Sequence, residues 1–275
     1  MKRLLFLSSF ALIFGVSAQA QTLTKLWSTG DGLKTPESAL FDEASNSIFV
    51  SNIDGGAMDK DENGFISILN ADGKVKTLKW VTGLNAPKGQ AISNGKYYVA
   101  DIDELVEVDV KDGKVLQKYK VENAKFLNDV TASEDGTVFV SDMGDHKIYA
   151  LKDKKLSLWL DDTQLTNVNG LWAEKGQLYI GTDKILQADL KTKSLKALVG
   201  DCGGIDGIEK IQDGNFVYSN WEGRIFITKG SSSVKLLDTV DKKMNTADID
   251  WVPSKNIVLV PTFGANSVDA YLLKP

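Results

Sequence analysis

An all-β chain closed into a six-bladed β-propeller is the fold that the sequence predicts, on three observations. A polar residue opens a short apolar strand, a turn follows, and a second Val/Tyr/Phe-rich strand ends in a small polar pair; this unit occurs six times. The copies open at Glu37, Lys88, Asn128, Asn169, Asp206 and Asp248, spaced 51, 40, 41, 37 and 42 residues apart, which is the length of one four-stranded blade each. Helical periodicity is not sustained anywhere beyond the N-terminal segment.

That segment reads as a secretory signal peptide over residues 1–20. Lys2-Arg3 is a basic start, Leu4 to Val16 an apolar run too short to span a bilayer, and Ala18-Gln19-Ala20 a small-x-small cleavage signal. No Cys follows it, which argues against a lipoprotein anchor, and the mature chain, residues 21–275, is then a single propeller domain with no membrane insertion. Next, Leu23 to Ser28 is strand-like but belongs to no blade of its own. The first blade opens at Glu37 and carries an insertion, Asp54–Gly64, on the face where the blades open. Asp59, Asp61 and Asn63 have calcium-loop spacing with Gly64 at the sharp turn, but Asn70 stands where the bidentate Glu belongs, so either a second calcium or an acidic loop capping a pocket is expected there.

The second blade opens at Lys88, and the third shows the scheme most clearly. Asn128 to Ser133 is a strand, Glu134-Asp135-Gly136 a hairpin turn, Thr137 to Ser141 a β-branched and aromatic strand, and Lys147–Leu151 and Leu156–Leu160 the outer pair. Blades four and five repeat it, with second strands at Leu178–Gly181 and Asn215–Ser219. The sixth offers only three strands, to Val252, Ile257–Val260 and Ser267–Leu272. Leu23 to Ser28 is therefore expected to supply the missing outer strand, closing the last blade with the N-terminus and removing two open edges.

The chemistry open to such a chain is bounded by composition. Removal of Lys2 and Arg3 takes the 32 basic residues to 30 against 37 acidic ones, a formal charge of −7, which argues against nucleic acid and anionic membranes as partners. A single cysteine, Cys202, excludes an internal disulfide and reads as a buried spectator; an exported, disulfide-free closed fold suits a bacterial periplasm or secretion. One histidine, His146, placed in a hairpin turn, and no Gly-x-Ser-x-Gly elbow leave little for a Ser-His-Asp hydrolase or a His-rich zinc site. The stretch Gly89 to Lys96 has the wrong glycine spacing for a phosphate loop.

What remains is the ring of opening residues at the axis. First strands begin and second strands end on the same face, so the ring shares that face with Asn52, Asp101, Asp142, Thr182, Asn220 and Thr262, short polar residues expected to satisfy turn amides. Glu37, Asp206 and Asp248 crowd three carboxylates among two amides, a repulsion that a divalent cation resolves. Hard oxygen donors suit calcium, magnesium or manganese, and an irregular ligand number favours calcium. The alternative is a solvated channel whose acids pair with Lys88.

Pro36-Glu37, Asn128-Asp129, Asn169-Gly170 and Asp206-Gly207, in register with four blades, resemble the regucalcin/gluconolactonase family, also known as the senescence-marker-protein and luciferin-regenerating-enzyme group. The resemblance spans the mature chain and implies one axial divalent metal, calcium first with magnesium, manganese or zinc as alternatives, and hydrolysis of small lactones. It implies Glu37, Asn169 and Asp206 as metal ligands, Asp206 also as the catalytic acid/base, and Asn128 as a substrate contact; Lys88 and Asp248 complete the ring as further candidate substrate contacts. Phe126 stands where sugar-acting members often carry Arg, and Lys88 is a cation that the motif does not call for, which leaves room for a more apolar lactone or ester. Two functions are expected from this: an exported metal-dependent lactonase-type hydrolase of a small-molecule lactone or ester, or a non-catalytic metal-containing propeller that binds a small ligand or a protein through the same face.

Overall fold

In the computed structural model the described residues are 21–211 and 213–274; the expected signal peptide lies outside them. The described residues form six antiparallel four-stranded sheets. The predicted hairpin order holds in every blade, from Pro36–Asp42, Ser47–Asn52, Gly64–Asn70 and Val75–Leu84 in blade one to Asp250–Val252, Ile257–Pro261 and Val268–Lys274 in blade six. Second strands are buried along their whole length in blades one, three and five, where two neighbouring sheets cover them, and so read as apolar runs up to their terminal polar pair.

Closure follows the sequence expectation. Thr22–Ser28 pairs antiparallel with Val268–Lys274, from Thr22 opposite Lys274 to Ser28 opposite Asp269. The buried Asp269 carboxylate accepts from Lys25 Nζ at 2.7 Å and from Ser28 Oγ at 2.5 Å. Leu23 and Trp27 pack on the cores to either side, so the strand contributes apolar burial as well as ladder hydrogen bonds.

No single central core exists, because the core is divided into layers between adjacent blades. Phe139 and Ile148 of blade three meet Leu171, Leu178 and Ile180 of blade four, and Val217 and Ile225 of blade five meet Trp251 and Val258 of blade six. The axis is thereby left to the first strands, which approach closely. A Cβ on Gly170 would lie 2.6 Å from Asp206 O, and one on Gly207 would lie 2.4 Å from Ile249 N, so the glycine of each Asn-Gly and Asp-Gly pair is required by the neighbouring backbone.

The small polar pair ending the second strand has two separate tasks. Serine hydroxyls at Ser51, Ser141 and Ser219 accept the backbone N–H of Ser38, Asp129 and Gly207, each the residue after an opening side chain. In blades one and three the register shifts there, so the hydroxyl replaces a ladder partner lost at the bulge. The following residue satisfies turn amides and carbonyls: Asp142 accepts from Lys125, Phe126, Gly144 and Asp145, Asp101 from Asn85 and Ala86, and Asn220 donates to Cys202 and Gly204 carbonyls. Asn52, Thr182 and Thr262 bond locally in the same way. The whole second ring is thus structural.

Candidate active site

Five of the predicted site residues line one cavity of about 330 Å³ at the axial mouth: Glu37, Lys88, Asn128, Asn169 and Asp206. All five are buried, and each sits at or just before the start of a first strand, Glu37, Asn128 and Asp206 being followed by the serine contacts described above. Asn169 Nδ2 donates to Asp206 Oδ1 at 2.7 Å. Three further acceptors of this group, Glu37 Oε2, Asn169 Oδ1 and Asp206 Oδ2, are buried without any hydrogen-bond partner. Unpaired buried acceptors cost free energy, and here three oxygens from three blades share one cavity.

Burial pushes the Glu37 carboxyl well above the usual carboxylate range, with repulsion from Asp206 and Asp248 adding to it and Lys88 opposing it. The Asp206 carboxyl is pushed up to about 7, again by burial, against the hydrogen bond from Asn169. Lys88 is lowered to about 8 by burial, although Glu37 and Asp101 attract its charge. Two carboxylates and an amide carbonyl, with oxygens left over, fit a hard divalent cation. Among the described residues no three His, Cys, Asp or Glu side chains are grouped to hold a metal; the mouth brings two carboxylates and one amide instead.

Lys88 departs from the expected role of a free substrate contact. Its ammonium donates to Ala57 O at 2.9 Å and Ala86 O at 2.8 Å, and lies 4.6 Å from the centre of the Phe126 ring. The solvated-channel alternative, with acids paired to this lysine, is not what the structure forms, since among the described residues its hydrogen bonds go to carbonyls and not to a carboxylate. Ala57 belongs to the insertion of blade one, so Lys88 fastens that loop over the mouth, and an exposed Lys60–Asp103 pair at 2.7 Å adds a second tie to blade two. Ile53 and Ala57 line the cavity, which makes the insertion a cap.

The calcium-loop reading of the insertion is corrected. Asp59 accepts the Gly56 amide and Asp61 accepts from Asn63, so both carboxylates fold back on their own loop. Gly64 begins the next strand, where a Cβ would lie 2.6 Å from Asn85 O, and Asn70 ends that strand, about 20 Å away at the usual strand rise. No twelve-residue loop can close around an ion there.

Asp248 is also corrected in placement, because it does not line the mouth. Its amide donates to Glu37 O at 2.9 Å, and its carboxylate turns to Ser38 Oγ at 2.5 Å and lines a second cavity of about 220 Å³ further along the axis. Asp129, Glu209 and Asp250 share this second cavity, a set that sequence reasoning missed. Asp129 accepts the Leu171 and Val130 amides and Asp250 the Phe41 amide, whereas Glu209 Oε2 has no partner. Burial raises all four acids, Asp250 to about 7. The available signal was a carboxylate one to three residues after three opening residues, but bulges make the facing of those positions unreadable.

Several apolar side chains of the mouth were equally unforeseen. Met143, Trp221 and Phe263 join Ile53, Ala57 and Phe126 around the cavity. Trp221 and Phe263 meet edge to face, with ring centroids 5.5 Å apart. They come from loops that follow second strands, where the sequence shows no periodicity to place them.

No family model and no curated protein sequence matches this chain. Solved structures do. Over 93% of this chain and 100% of the other, a catalytically inactive virginiamycin B lyase from Staphylococcus aureus with quinupristin superimposes with a TM-score of 0.64 at 13% identity. A streptogramin B lyase gives 0.65 at 12% identity over 93% of this chain and 98% of that one. A luciferin-regenerating enzyme gives 0.63 at 15% identity over 89% and 92%. The chain has the six-bladed fold of these proteins. The luciferin-regenerating enzyme also carries a name of the group that the opening dipeptides resemble, so the resemblance and the fold agree.

Proposed function

We propose that this protein is an exported, metal-dependent hydrolase of the lactonase type that acts on a small lactone or ester at the axial mouth. The observation that carries the reading is the convergence of Glu37 Oε2, Asn169 Oδ1 and Asp206 Oδ2, buried and unpaired, in one cavity. The enzyme names of the structural neighbours support it coarsely, and the signal-like residues 1–20 support export. The lyase neighbour is inactivated by a histidine-to-alanine change. Here the single histidine, His146, accepts the Asn167 amide at 3.1 Å and does not line the mouth, so the oxygen set carries the chemistry instead.

Glu37, Asn169 and Asp206 would hold the cation, calcium being favoured, and when bound it supplies Lewis acidity toward a substrate carbonyl oxygen. The remaining work falls to the chain. Asn169 fixes the Asp206 carboxylate through Oδ1, leaving Oδ2 toward the cavity. Asp206 takes a proton from the attacking water as the C–O bond forms, and returns it to the alkoxide as the acyl C–O bond breaks. Without the cation, burial raises this carboxyl to about 7, and a bound cation would lower it toward the ionised form that accepts a proton. The Asn128 amide, whose one hydrogen-bond partner among the described residues is Met143 Sδ at a long 3.7 Å, is free to donate to a substrate oxygen. The apolar rim keeps bulk water from the site.

Melting curves with chelator and with calcium, magnesium, manganese or zinc, run beside a panel of lactones and esters, test the reading. Chelation is expected to lower the melting temperature and added cation to restore it, with Glu37→Gln weakening the response. Asp206→Asn should retain weakened cation binding and lose hydrolysis by on the order of a hundredfold, while Asn128→Ala keeps the cation response and loses activity through substrate handling. A melting curve indifferent to both chelator and cations removes the metal, and wild-type hydrolysis by Asp206→Asn removes the acid/base assignment.

A further inference from the structure

We infer that the mouth takes an aromatic lactone or ester, its ring seated against Trp221, Phe263 and Phe126, in preference to a polyhydroxylated sugar lactone. The inference rests on the hydrolase reading for the reacting bond, but its argument concerns the walls.

Most polar groups of the mouth are already committed. Of the five side-chain oxygens of Glu37, Asn169 and Asp206, three are buried without a partner and would face the cation, and Asp206 Oδ1 is taken by Asn169, which leaves Glu37 Oε1. Lys88 spends two donors on Ala57 O and Ala86 O and lies against the Phe126 ring, so it offers a ligand little. Of the polar side chains lining the cavity, the Asn128 amide is the main donor left for substrate, beside one acceptor, Glu37 Oε1. A polyol brings several hydroxyls, and each one buried without a partner lowers affinity by on the order of tenfold or more.

The apolar groups, in contrast, are built into place and left open. Trp221 is 50% exposed although it is among the largest side chains of the protein. It is not loose: Asn245 Nδ2 donates to Trp221 O at 3.0 Å and Asn245 Oδ1 accepts the Gly264 amide at 3.4 Å, so one side chain clamps both loops that carry the aromatic pair. Behind them Ile53, with Ala86 and Ile102, forms a buried apolar floor against which Ala57 and Phe263 pack. An indole packed edge to face on Phe263 at a cavity mouth, with half of its surface in water, gains most from a flat apolar ligand. A cavity of about 330 Å³ is of the size that takes a one- or two-ring molecule.

The test compares dihydrocoumarin with gluconolactone as substrates, and their ring-opened acids as ligands by calorimetry in the presence of calcium, for the wild type, Trp221→Ala and Phe126→Ala. The aromatic pair of compounds is expected to be favoured at least tenfold in kcat/KM and in affinity. Trp221→Ala, at a half-exposed position, should melt as the wild type does and bind the aromatic acid about tenfold more weakly, with gluconate unchanged. Aromatic binding that depends on Trp221 with no turnover of either lactone upholds this inference and sinks the hydrolase reading. Equal or preferred use of gluconolactone, or aromatic binding untouched by both substitutions, overturns the inference whether or not the protein is a hydrolase.

Discussion

Asp250→Asn is expected to make this protein more stable at pH 8, although it removes a buried hydrogen-bonded carboxylate. Asp250 is buried in the second axial cavity beside Glu209, and its carboxyl is raised from 3.8 to about 7, chiefly by burial. An acid whose folded value lies above its unfolded value keeps its proton longer in the native state. Between about pH 4 and pH 7 the unfolded chain therefore binds fewer protons, and stability falls as pH rises through that window and is level above it. A rise from 3.8 to about 7 corresponds to about 4 kcal/mol at pH 8, and structural relaxation and water entry should reduce the realised cost to about half. Asparagine keeps an oxygen for the Phe41 amide, which Asp250 now accepts at 2.6 Å, and carries no charge. A gain of about 2 kcal/mol is expected at pH 8, or roughly 4–8 °C in melting temperature for a domain of this size, with almost none at pH 4. Thermal and urea unfolding at both pH values, with chelator present, measure it. An Asp250→Asn protein that is less stable than the wild type at pH 8, with the same dependence on pH, would show that the carboxylate is compensated and the reasoning wrong.

Two further outcomes follow from the closure strand and from Lys88. A chain beginning at Gly30 lacks the outer strand of blade six and the packing of Leu23 and Trp27, and should lose at least 10 °C of melting temperature by circular dichroism, on the order of several kcal/mol; melting at the wild-type temperature would mean that the strand contributes nothing to closure. Lys88→Met should free the Ala57 carbonyl and loosen the cap, at a net cost of about 1–2 kcal/mol because the lost bonds are offset by removal of a buried charge. Limited proteolysis should then cut between residues 54 and 63 faster than in the wild type, and an unchanged cleavage rate would show that the loop does not depend on this ammonium.

The blade count, hairpin order, closing strand and opening residues were legible because each depends on short-range features: a repeat of about forty residues, turn glycines, and β-branched runs where a strand is covered on both faces. The division of labour in the terminal polar pair was half legible. Asp142 and Asn220 were expected to serve turns, but the reach of Ser141 and Ser219 to the amides of Asp129 and Gly207 was not, since it depends on where the first strand departs from regular pairing.

By itself the sequence determined which chemistry could exist at the axis, because it places Glu37, Asn128, Asn169 and Asp206 at equivalent points of successive repeats and leaves one histidine and one cysteine for everything else. Only the tertiary structure decided which atoms are free to act. A bulge turns successive side chains to different ends of the channel, and the distance between neighbouring blades sets who meets whom. So Asp248 turned to Ser38, Asp129, Glu209 and Asp250 gathered below, Lys88 was drawn to two carbonyls, and three oxygens were left without partners at the mouth. Trp221 and Phe263 came to the same rim from blades five and six, residues far apart in a chain whose repeats say nothing of the loops between them.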